Sequence, residues 1–266
     1  MSIYCVLGAK GQTGRLLVRQ LVQRAHVKEV RCVVRDPKTV PEGTFPEENK
    51  EKIKIIAGDV SKRDSENIRT ALTGAKGVFF VCAAKGYENV KAVDFKGVGY
   101  VAEIAKQCRC SRLLLLTSQL VHPANRFSFI RGFLNTINTG LFHWSGMMDF
   151  KFAGEKLLRV SGMEYTIVRP GRLLDGEGGK SNFHVAQTNS SFMSSGISRS
   201  DLATLLVAAI DSTKTKNCTF EVACSPSTDG ANVTLQNDDI FDKLDEKYDN
   251  SWGNDGRDIT NWDGGN

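Results

Sequence analysis

Three glycines near the start of the chain have the spacing of a phosphate-binding loop. Gly8, Gly11 and Gly14 follow an apolar run at 3–7, and a helical pattern begins directly after them. Glycine lets a backbone turn tightly and approach a ligand, and the first turn of a helix offers free N–H groups to an anion. This context predicts a pyrophosphate site; the alternative is a plain strand-to-helix turn. The predicted contacts are Gly8, Lys10, Gly11, Gln12, Thr13 and Gly14.

A cation stands where the second strand-like run ends. Arg35 directly follows the apolar residues 30–34. In a dinucleotide-binding fold this strand end meets the adenosine ribose, where a carboxylate suits a free 2′-hydroxyl and a cation suits a 2′-phosphate. Arg35, with Lys10 from the glycine loop, therefore predicts NADP as the cofactor. The alternatives are a solvated arginine at a strand end and a surface lysine without a ligand.

The ends of the next three strand-like runs carry residues that suit a bound dinucleotide. A carboxylate and an adjacent N–H after the third run fit the adenine edge, and small residues after the fourth let the backbone run beside the cofactor. A threonine ends the fifth. The residues predicted to contact the cofactor here are Asp59, Val60, Cys82, Ala83, Ala84 and Thr117.

Two residues beyond the fifth run are candidates for the chemistry itself. Ser118 lies at a carboxyl strand end, where substrate-contacting groups collect in open α/β sheets. We expect it to contact substrate or nicotinamide; the alternative is a hydroxyl bonded to the backbone. His122 follows in the same loop and titrates near neutral pH, which makes it a candidate proton donor. The alternative is a histidine of a surface loop without a role.

These residues must be positioned by strands and helices that alternate along the chain. The predicted strands are 3–7, 30–34, 53–57, 78–82, 113–116, 165–168 and 219–223, and the predicted helices are 14–24, 65–72, 90–107, 151–160 and 201–210. Such alternation is typical of an α/β fold with a parallel sheet covered on both faces. Runs that are apolar on both faces, such as 113–116, are what this sheet requires.

An insertion at 125–148 and a tail at 225–266 depart from the alternation. The aromatic residues of the insertion are Phe127, Phe129, Phe133, Phe142 and Trp144. The insertion is a lid over an apolar, planar substrate or a docking surface for a membrane or a partner protein, unless its aromatics pack onto the body. We expect an acidic, mostly flexible tail with a short amphipathic helix at 238–248. The dinucleotide-binding domain is therefore predicted to span 1–224.

Composition narrows the class of protein. Of 266 residues, 41% are hydrophobic and 24% charged, which is ordinary for a soluble globular chain. No apolar run approaches the ~18 residues of a membrane span, and no signal or transit peptide is recognisable. Seven cysteines, an odd number, indicate reduced thiols, so we expect a reducing compartment: the cytoplasm or an organelle interior such as the plastid stroma. Their spacing predicts no metal site.

The charge distribution points to an anionic ligand. The tail carries ten acidic and three basic residues, whereas residues 1–224 carry 32 basic and 20 acidic ones. A basic body suits the phosphates of a dinucleotide. Nucleic acid is not expected as a partner, because the chain has no basic helix face with interleaved aromatics.

At about 3–223 the chain resembles the atypical short-chain dehydrogenases/reductases, of the NAD(P)-binding NmrA-like and biliverdin-reductase-B-like kind. The resemblance rests on the glycine loop, on 35–37, 58–60, 117–118 and 197–203, and above all on the segment SGMEYTIVRPG at 161–171. It implies a single Rossmann-like domain, a doubly wound parallel sheet with a small C-terminal substrate lobe. It also implies that Pro170 lies beside the nicotinamide.

The resemblance also implies where the catalytic residues belong. The wider superfamily uses a tyrosine and a lysine at YxxxK, often continued as YxxxKxxxE, and the register set by 161–162 places Met147, Lys151 and Glu155 there. Lys151 is implied to hold the nicotinamide ribose, unless it is an exposed lysine paired with Glu155. A thioether cannot donate the proton that the tyrosine supplies.

Two functions follow from this departure. The first is an NADPH-dependent oxidoreductase that passes a hydride to a conjugated apolar acceptor, quinone-, flavin- or tetrapyrrole-like, with the proton taken from solvent. The alternative is a non-catalytic NADP(H)-binding sensor, assembly factor or structural subunit of a larger complex, including one at a membrane or in a plastid.

Overall fold

An eight-stranded sheet with the strand order β3-β2-β1-β4-β5-β6-β10-β8 runs through the computed structural model of the chain. The structure describes residues 1–63, 65–125, 127–139, 146–179, 181–187, 196–226 and 238–245. The strands are β1 Ser2–Leu7, β2 Val27–Val34, β3 Ile53–Ala57, β4 Gly77–Phe80, β5 Arg112–Leu116, β6 Tyr165–Pro170, β7 Leu173–Leu174, β8 Ser181–Ala186, β9 Ile197–Ser198 and β10 Cys218–Pro226. Strands β7 and β9 pair in a separate two-stranded sheet.

Helices cover both faces of the sheet. They are α1 Gln12–Val22, α2 Glu66–Leu72, α3 Tyr87–Val90, α4 Val98–Gln107, α5 Phe129–Thr139, α6 Met147–Val160 and α7 Arg199–Asp211. A π-helical segment, Lys91–Gly97, joins α3 to α4 without a break. One core lies between the sheet and α1 with α7, and a second core lies on the other face beneath α2 and α4. The predicted Rossmann-like architecture is therefore confirmed.

All pairings from β3 to β10 are parallel, and only β8 joins antiparallel, at the edge beside β10. Strands β4 and β6 are buried along their whole length, because helices cover both faces. This explains why the sequence of β4 is apolar throughout rather than alternating, whereas β6 also contains Thr166 and Arg169, whose polar groups are hydrogen-bonded. In a parallel sheet all carboxyl strand ends meet at one edge, so the loops predicted to carry function are gathered there.

Two parts of the chain differ from the sequence-based expectation. The insertion contains an α-helix, α5, and the last part of the domain adds β7, β8 and β9. Of the tail, the structure describes Ser225, Pro226 and 238–245; β10 runs to Pro226, and Asp238–Phe241 forms a 3-10 turn instead of an α-helix. Phe241 in this turn is buried against Phe220, with ring centroids 5.7 Å apart. The rest of the tail lies outside the described residues.

Within the described residues, no helix has the length and hydropathy needed to cross a membrane.

The close packing of the glycine loop against the start of α1 can be tested by adding a methyl group. At Gly14 an added Cβ would clash with the Gly8 carbonyl oxygen and lie 2.8 Å from the Ala9 Cα. Gly14→Ala should therefore lower the free energy of unfolding by about 2 kcal/mol or more, as measured by urea denaturation. The matched control is Gly132→Ala in α5, where a Cβ meets nothing within 4 Å. That variant should gain up to about 1 kcal/mol, and equal effects at both positions would contradict the packing.

Candidate functional site

The glycine loop forms an open cradle at the carboxyl end of β1. Gly8 adopts φ +86°, its carbonyl accepts the Gly11 N–H at 3.0 Å, and Gly11 starts α1 without a capping side chain. Among the described residues, no acceptor faces the backbone N–H groups of Gln12 and Thr13. Unpartnered N–H groups at a helix start, together with the positive end of the helix dipole, fit a pyrophosphate.

The turn after β2 lies beside the glycine loop. The Lys10 ammonium donates to the Thr39 carbonyl at 2.6 Å and to the Thr39 hydroxyl at 3.0 Å. Arg35 is exposed in this turn. The Asp36 carboxylate accepts the Lys38 N–H at 2.9 Å, so it is engaged within its own turn. Lys10 is thereby tied to the turn that contains Arg35.

The ends of β3 and β4 close the other side of this half of the site. Asp59 accepts the backbone N–H and the hydroxyl of Ser61 at 2.9 and 2.7 Å. Burial would raise the pKa of Asp59, but these hydrogen bonds and the charges of Lys62 and Arg35 outweigh it and lower the pKa. The carboxylate therefore stays ionised. The side chain of Val60 packs into the core instead, which leaves only its backbone for a ligand.

The residues after β4 run directly past the glycine loop. A Cβ at Gly8 would lie 3.0 Å from the backbone nitrogen of Cys82, so only glycine permits this approach. Burial raises the pKa of the Cys82 thiol to about 12, and it stays neutral. Ala83 is exposed and Ala84 half-buried. The Ala84 N–H donates to the Asp94 carboxylate at 3.3 Å.

Lys151 is buried and forms an ion pair. Its ammonium lies 2.5 Å from Asp94 Oδ1, and the exposed fractions of the two residues are 7% and 3%. Asp94 comes from the π-helical segment and also holds Ala84, so it ties Lys151 to the loop after β4. The structure thus brings together Ala84 and Lys151, two of the predicted cofactor contacts, through a carboxylate that the sequence analysis did not single out.

Glu155 is the centre of a buried network one helical turn beyond Lys151. It is fully buried and accepts the Thr117 hydroxyl at 2.7 Å and the Arg169 guanidinium at 3.0 Å, with Arg159 at 3.2 Å. Burial would raise its pKa, but the charges of Arg169 and Arg159 lower it. The Thr117 hydroxyl is therefore turned into this network. Pro170 ends β6 and is buried.

Ser118 and His122 lie at the carboxyl end of β5. Ser118 is half-buried, and its carbonyl accepts the Val121 N–H at 3.3 Å. The His122 ring packs edge-on against Phe152, with centroids 5.8 Å apart. Burial, followed by the charge of Arg169, lowers the pKa of His122 to about 4. At pH 7 the imidazole is neutral, so it carries no readily donated proton, contrary to the expectation of a group that titrates near neutrality.

Met147 occupies the position of the tyrosine in the YxxxK pattern, and its side chain makes apolar contacts. Met147, the first residue of α6, is half-buried and packs between two small clusters that include Phe150 and Leu120. It stands one turn before Lys151 on the same helix, as the YxxxK spacing implies.

A buried arginine holds the loop that contains His122. Arg131 of α5 donates to the carbonyls of Leu120, Val121 and His122 at 3.0, 2.9 and 2.6 Å, and it pairs with Asp149 at 2.6 Å. The sequence analysis missed this residue. A signal was present, because Arg131 is the one charged residue in the apolar helix pattern at 129–139. Asp94 had a similar signal, since it lies between Val90 and Val98 on an apolar helix face.

The aromatic residues of the insertion are largely exposed where the structure describes them. Phe127, Phe129 and Phe133 are 90%, 89% and 57% exposed. Phe142 and Trp144 lie outside the described residues. Within the described part of the chain, no group of three or more histidine, cysteine or acidic side chains is placed to hold a metal ion.

The geometry agrees with a comparison against known families. Residues 8–213 match the family described as NAD(P)H-binding. The chain belongs to this family. The match covers the glycine loop, the strand ends around the cradle and α7, so nicotinamide dinucleotide binding by an oxidoreductase-like fold is the function class of the chain. The predicted resemblance to the atypical short-chain dehydrogenases/reductases is confirmed.

The chain is similar to several proteins with different names. It is 25% identical over 228 residues to the uncharacterized sugar epimerase YhfK of Bacillus subtilis, covering 82% of this chain and 92% of YhfK. It is 30% identical over 185 residues to TIC 62, chloroplastic, of Arabidopsis thaliana, covering 62% of this chain and 26% of TIC 62. It is 28% identical over 171 residues to the photosystem II assembly factor Ycf39 of Cyanophora paradoxa, covering 64% of this chain and 44% of Ycf39. The chain thus spans less than half of the last two proteins.

Solved structures share the fold of this family member. A putative NAD-dependent epimerase/dehydratase from Bacillus halodurans superposes with a TM-score of 0.68 at 22% identity, covering 85% of this chain and 96% of that one. ChuY, an anaerobilin reductase from Escherichia coli O157:H7, superposes with a TM-score of 0.63 at 18% identity, covering 84% and 97%.

The lowered pKa of His122 has a consequence for stability in acid. Because the folded pKa of about 4 is below the ordinary 6.5, the unfolded chain binds the proton more tightly between these values. The stability associated with neutral His122 is complete above pH 6.5 and is lost as the pH falls toward 4. The melting temperature of His122→Asn should therefore fall less between pH 7.5 and pH 5 than the melting temperature of the wild type. Equal losses of melting temperature in His122→Asn and in the wild type would refute the lowered pKa.

Proposed function

We propose that the protein is an NADPH-dependent oxidoreductase that transfers a hydride to a conjugated, apolar acceptor. The observation that carries the proposal is the buried Lys151–Asp94 ion pair beside the open cradle. A buried ion pair is costly unless each charge is compensated, so its position at the carboxyl edge of the sheet favours a role in holding the nicotinamide ribose. We assign to Ser118, directly after β5, the role of orienting the acceptor.

The proton supply argues for the class of acceptor. When bound, reduced nicotinamide supplies the hydride. Met147 cannot donate a proton, and His122 with a pKa of about 4 is neutral at pH 7. We therefore assign the proton to solvent. Quinones, flavins and tetrapyrroles spread the negative charge of the hydride over a conjugated system, so they can be protonated after the hydride transfer. An aldehyde oxygen requires a proton donor at the moment of transfer.

Preference for NADPH rests on the turn after β2. Arg35 is exposed there, Lys10 is bonded to Thr39, and the Asp36 carboxylate is engaged with Lys38. Two cations without a free carboxylate favour a 2′-phosphate over a 2′-hydroxyl.

Cofactor preference can be tested by reversing one charge. Arg35→Asp should weaken NADPH binding about tenfold or more and leave NADH binding nearly unchanged, because only NADPH has the 2′-phosphate that pairs with Arg35. Binding is followed by nucleotide fluorescence. Lys28→Asp makes the same charge change near the amino end of β2, whereas Arg35 follows the carboxyl end of that strand, and it should affect the binding of neither nucleotide. Equal losses for NADPH and NADH in Arg35→Asp would remove Arg35 from the phosphate site.

Turnover is tested by NADPH oxidation with a panel of quinones, flavins, tetrapyrroles and aldehydes. Conjugated acceptors should be reduced and aldehydes should not. Lys151→Met should raise the KM for NADPH about tenfold, whereas Lys96→Met, an exposed lysine near Asp94, should not change it. Tight NADPH binding with no oxidation by any acceptor would overturn the proposal.

That negative outcome would favour the second candidate, a non-catalytic NADP(H)-binding assembly factor or subunit. Similarity to Ycf39, named as an assembly factor, and the apolar surface of α5 support it. The chloroplastic relative TIC 62 supports the plastid as the compartment for either function.

A further inference from the structure

Helix α5 carries four large apolar side chains on its outward side. Phe129, Ile130, Phe133 and Ile137 are 89%, 61%, 57% and 61% exposed, and we call them the apolar face of α5. No other helix in the described part of the chain exposes more than one large apolar side chain. Soluble proteins rarely expose several large apolar side chains side by side unless that surface binds a partner, a ligand or a membrane.

The opposite side of α5 is held firmly by the domain. Arg131 binds three loop carbonyls and Asp149, and the Asn135 side chain accepts the Met148 N–H at 2.9 Å. The Asn138 carbonyl accepts the Gly86 N–H at 2.7 Å. The helix therefore presents its apolar face outward as part of a fixed surface.

Charge around the apolar face suits an anionic surface. The sequence contains no aspartate or glutamate from 104 to 148. Exposed Lys85 adjoins Gly86, whose N–H donates to the Asn138 carbonyl in the last turn of α5. Basic residues near an amphipathic helix attract anionic lipid headgroups.

The size of the apolar face argues for a lipid surface over a protein. Eleven residues of α-helix extend only about 16 Å, and a standard protein interface needs about 800 Å² from each partner. Four side chains on one short convex helix do not supply that area alone. Insertion at the boundary of headgroups and acyl chains has no such minimum and suits phenylalanine and isoleucine side chains.

We propose that the apolar face of α5 inserts into the interfacial layer of an anionic membrane and holds the protein at its surface. Because Arg131 joins α5 to the loop of Leu120–His122, this docking places the carboxyl edge of the sheet close to the lipid. An apolar acceptor dissolved in the membrane would then need to travel only a short distance to the site. The docking itself does not depend on the proposed oxidoreductase activity.

The test is co-sedimentation of the full chain with vesicles of equal parts phosphatidylglycerol and phosphatidylcholine, beside vesicles of phosphatidylcholine alone. The wild type should pellet with the anionic vesicles and stay largely in solution with the neutral ones. The double substitution Phe129→Ser and Phe133→Ser should lower the partition coefficient about tenfold or more. The matched control, Ile55→Ser with Val160→Ser, removes two exposed apolar side chains elsewhere and should bind as the wild type does.

Three results of the vesicle experiment would overturn the proposal. The wild type could remain in solution with both vesicles, it could bind both equally, or the control could lose as much binding as the α5 variant. Sedimentation velocity without lipid distinguishes another occupant: a dimer that the α5 substitutions dissociate would make the face an interface between copies of this chain and refute membrane docking. Unchanged thermal unfolding and NADPH titration of each variant establish that it is folded.

Discussion

The full burial of the Glu155 carboxylate constrains the chemical half of the site. An ion removed from water must be compensated, and breaking such a pair costs about 3–5 kcal/mol because the remaining charge is left unpaired. Arg169 from β6, Thr117 from β5 and Arg159 from α6 itself provide that compensation. The network therefore fixes how α6 lies across the carboxyl ends of β5 and β6. One turn earlier this orientation places Lys151 against Asp94.

The cofactor half is built differently, from the backbone more than from side chains. A glycine with positive φ, an uncapped helix start and the close passage of Cys82 make the cradle, and its ligand groups are N–H donors. Such groups depend on local conformation and on the order of strands in the sheet. The two halves meet through Asp94, which binds both the Ala84 N–H beside the cradle and the Lys151 ammonium.

The insertion connects the site to the outside of the molecule. The Arg131 guanidinium donates to the carbonyls of Leu120, Val121 and His122, and these hydrogen bonds hold the short helix α5 in place. The apolar side chains of α5 are then turned outward. His122 belongs to the same loop and is kept neutral by burial and by neighbouring cations.

Much of this protein could be predicted from its sequence. Apolar runs alternating with helical patterns determined the parallel sheet, because period and burial follow from residue type, and the glycines determined the phosphate loop, because only glycine tolerates its backbone. Lys151 could be placed by its spacing from the segment at 161–171. Its partner could not, since Asp94 lies 57 positions away in the chain and meets it only when α6 crosses the π-helical segment. Tertiary structure likewise decided the low pKa of His122, the capture of loop carbonyls by Arg131 and the outward direction of Phe129 and Phe133. Each of these depends on burial and on charges contributed by distant segments, which a local pattern of residues does not contain.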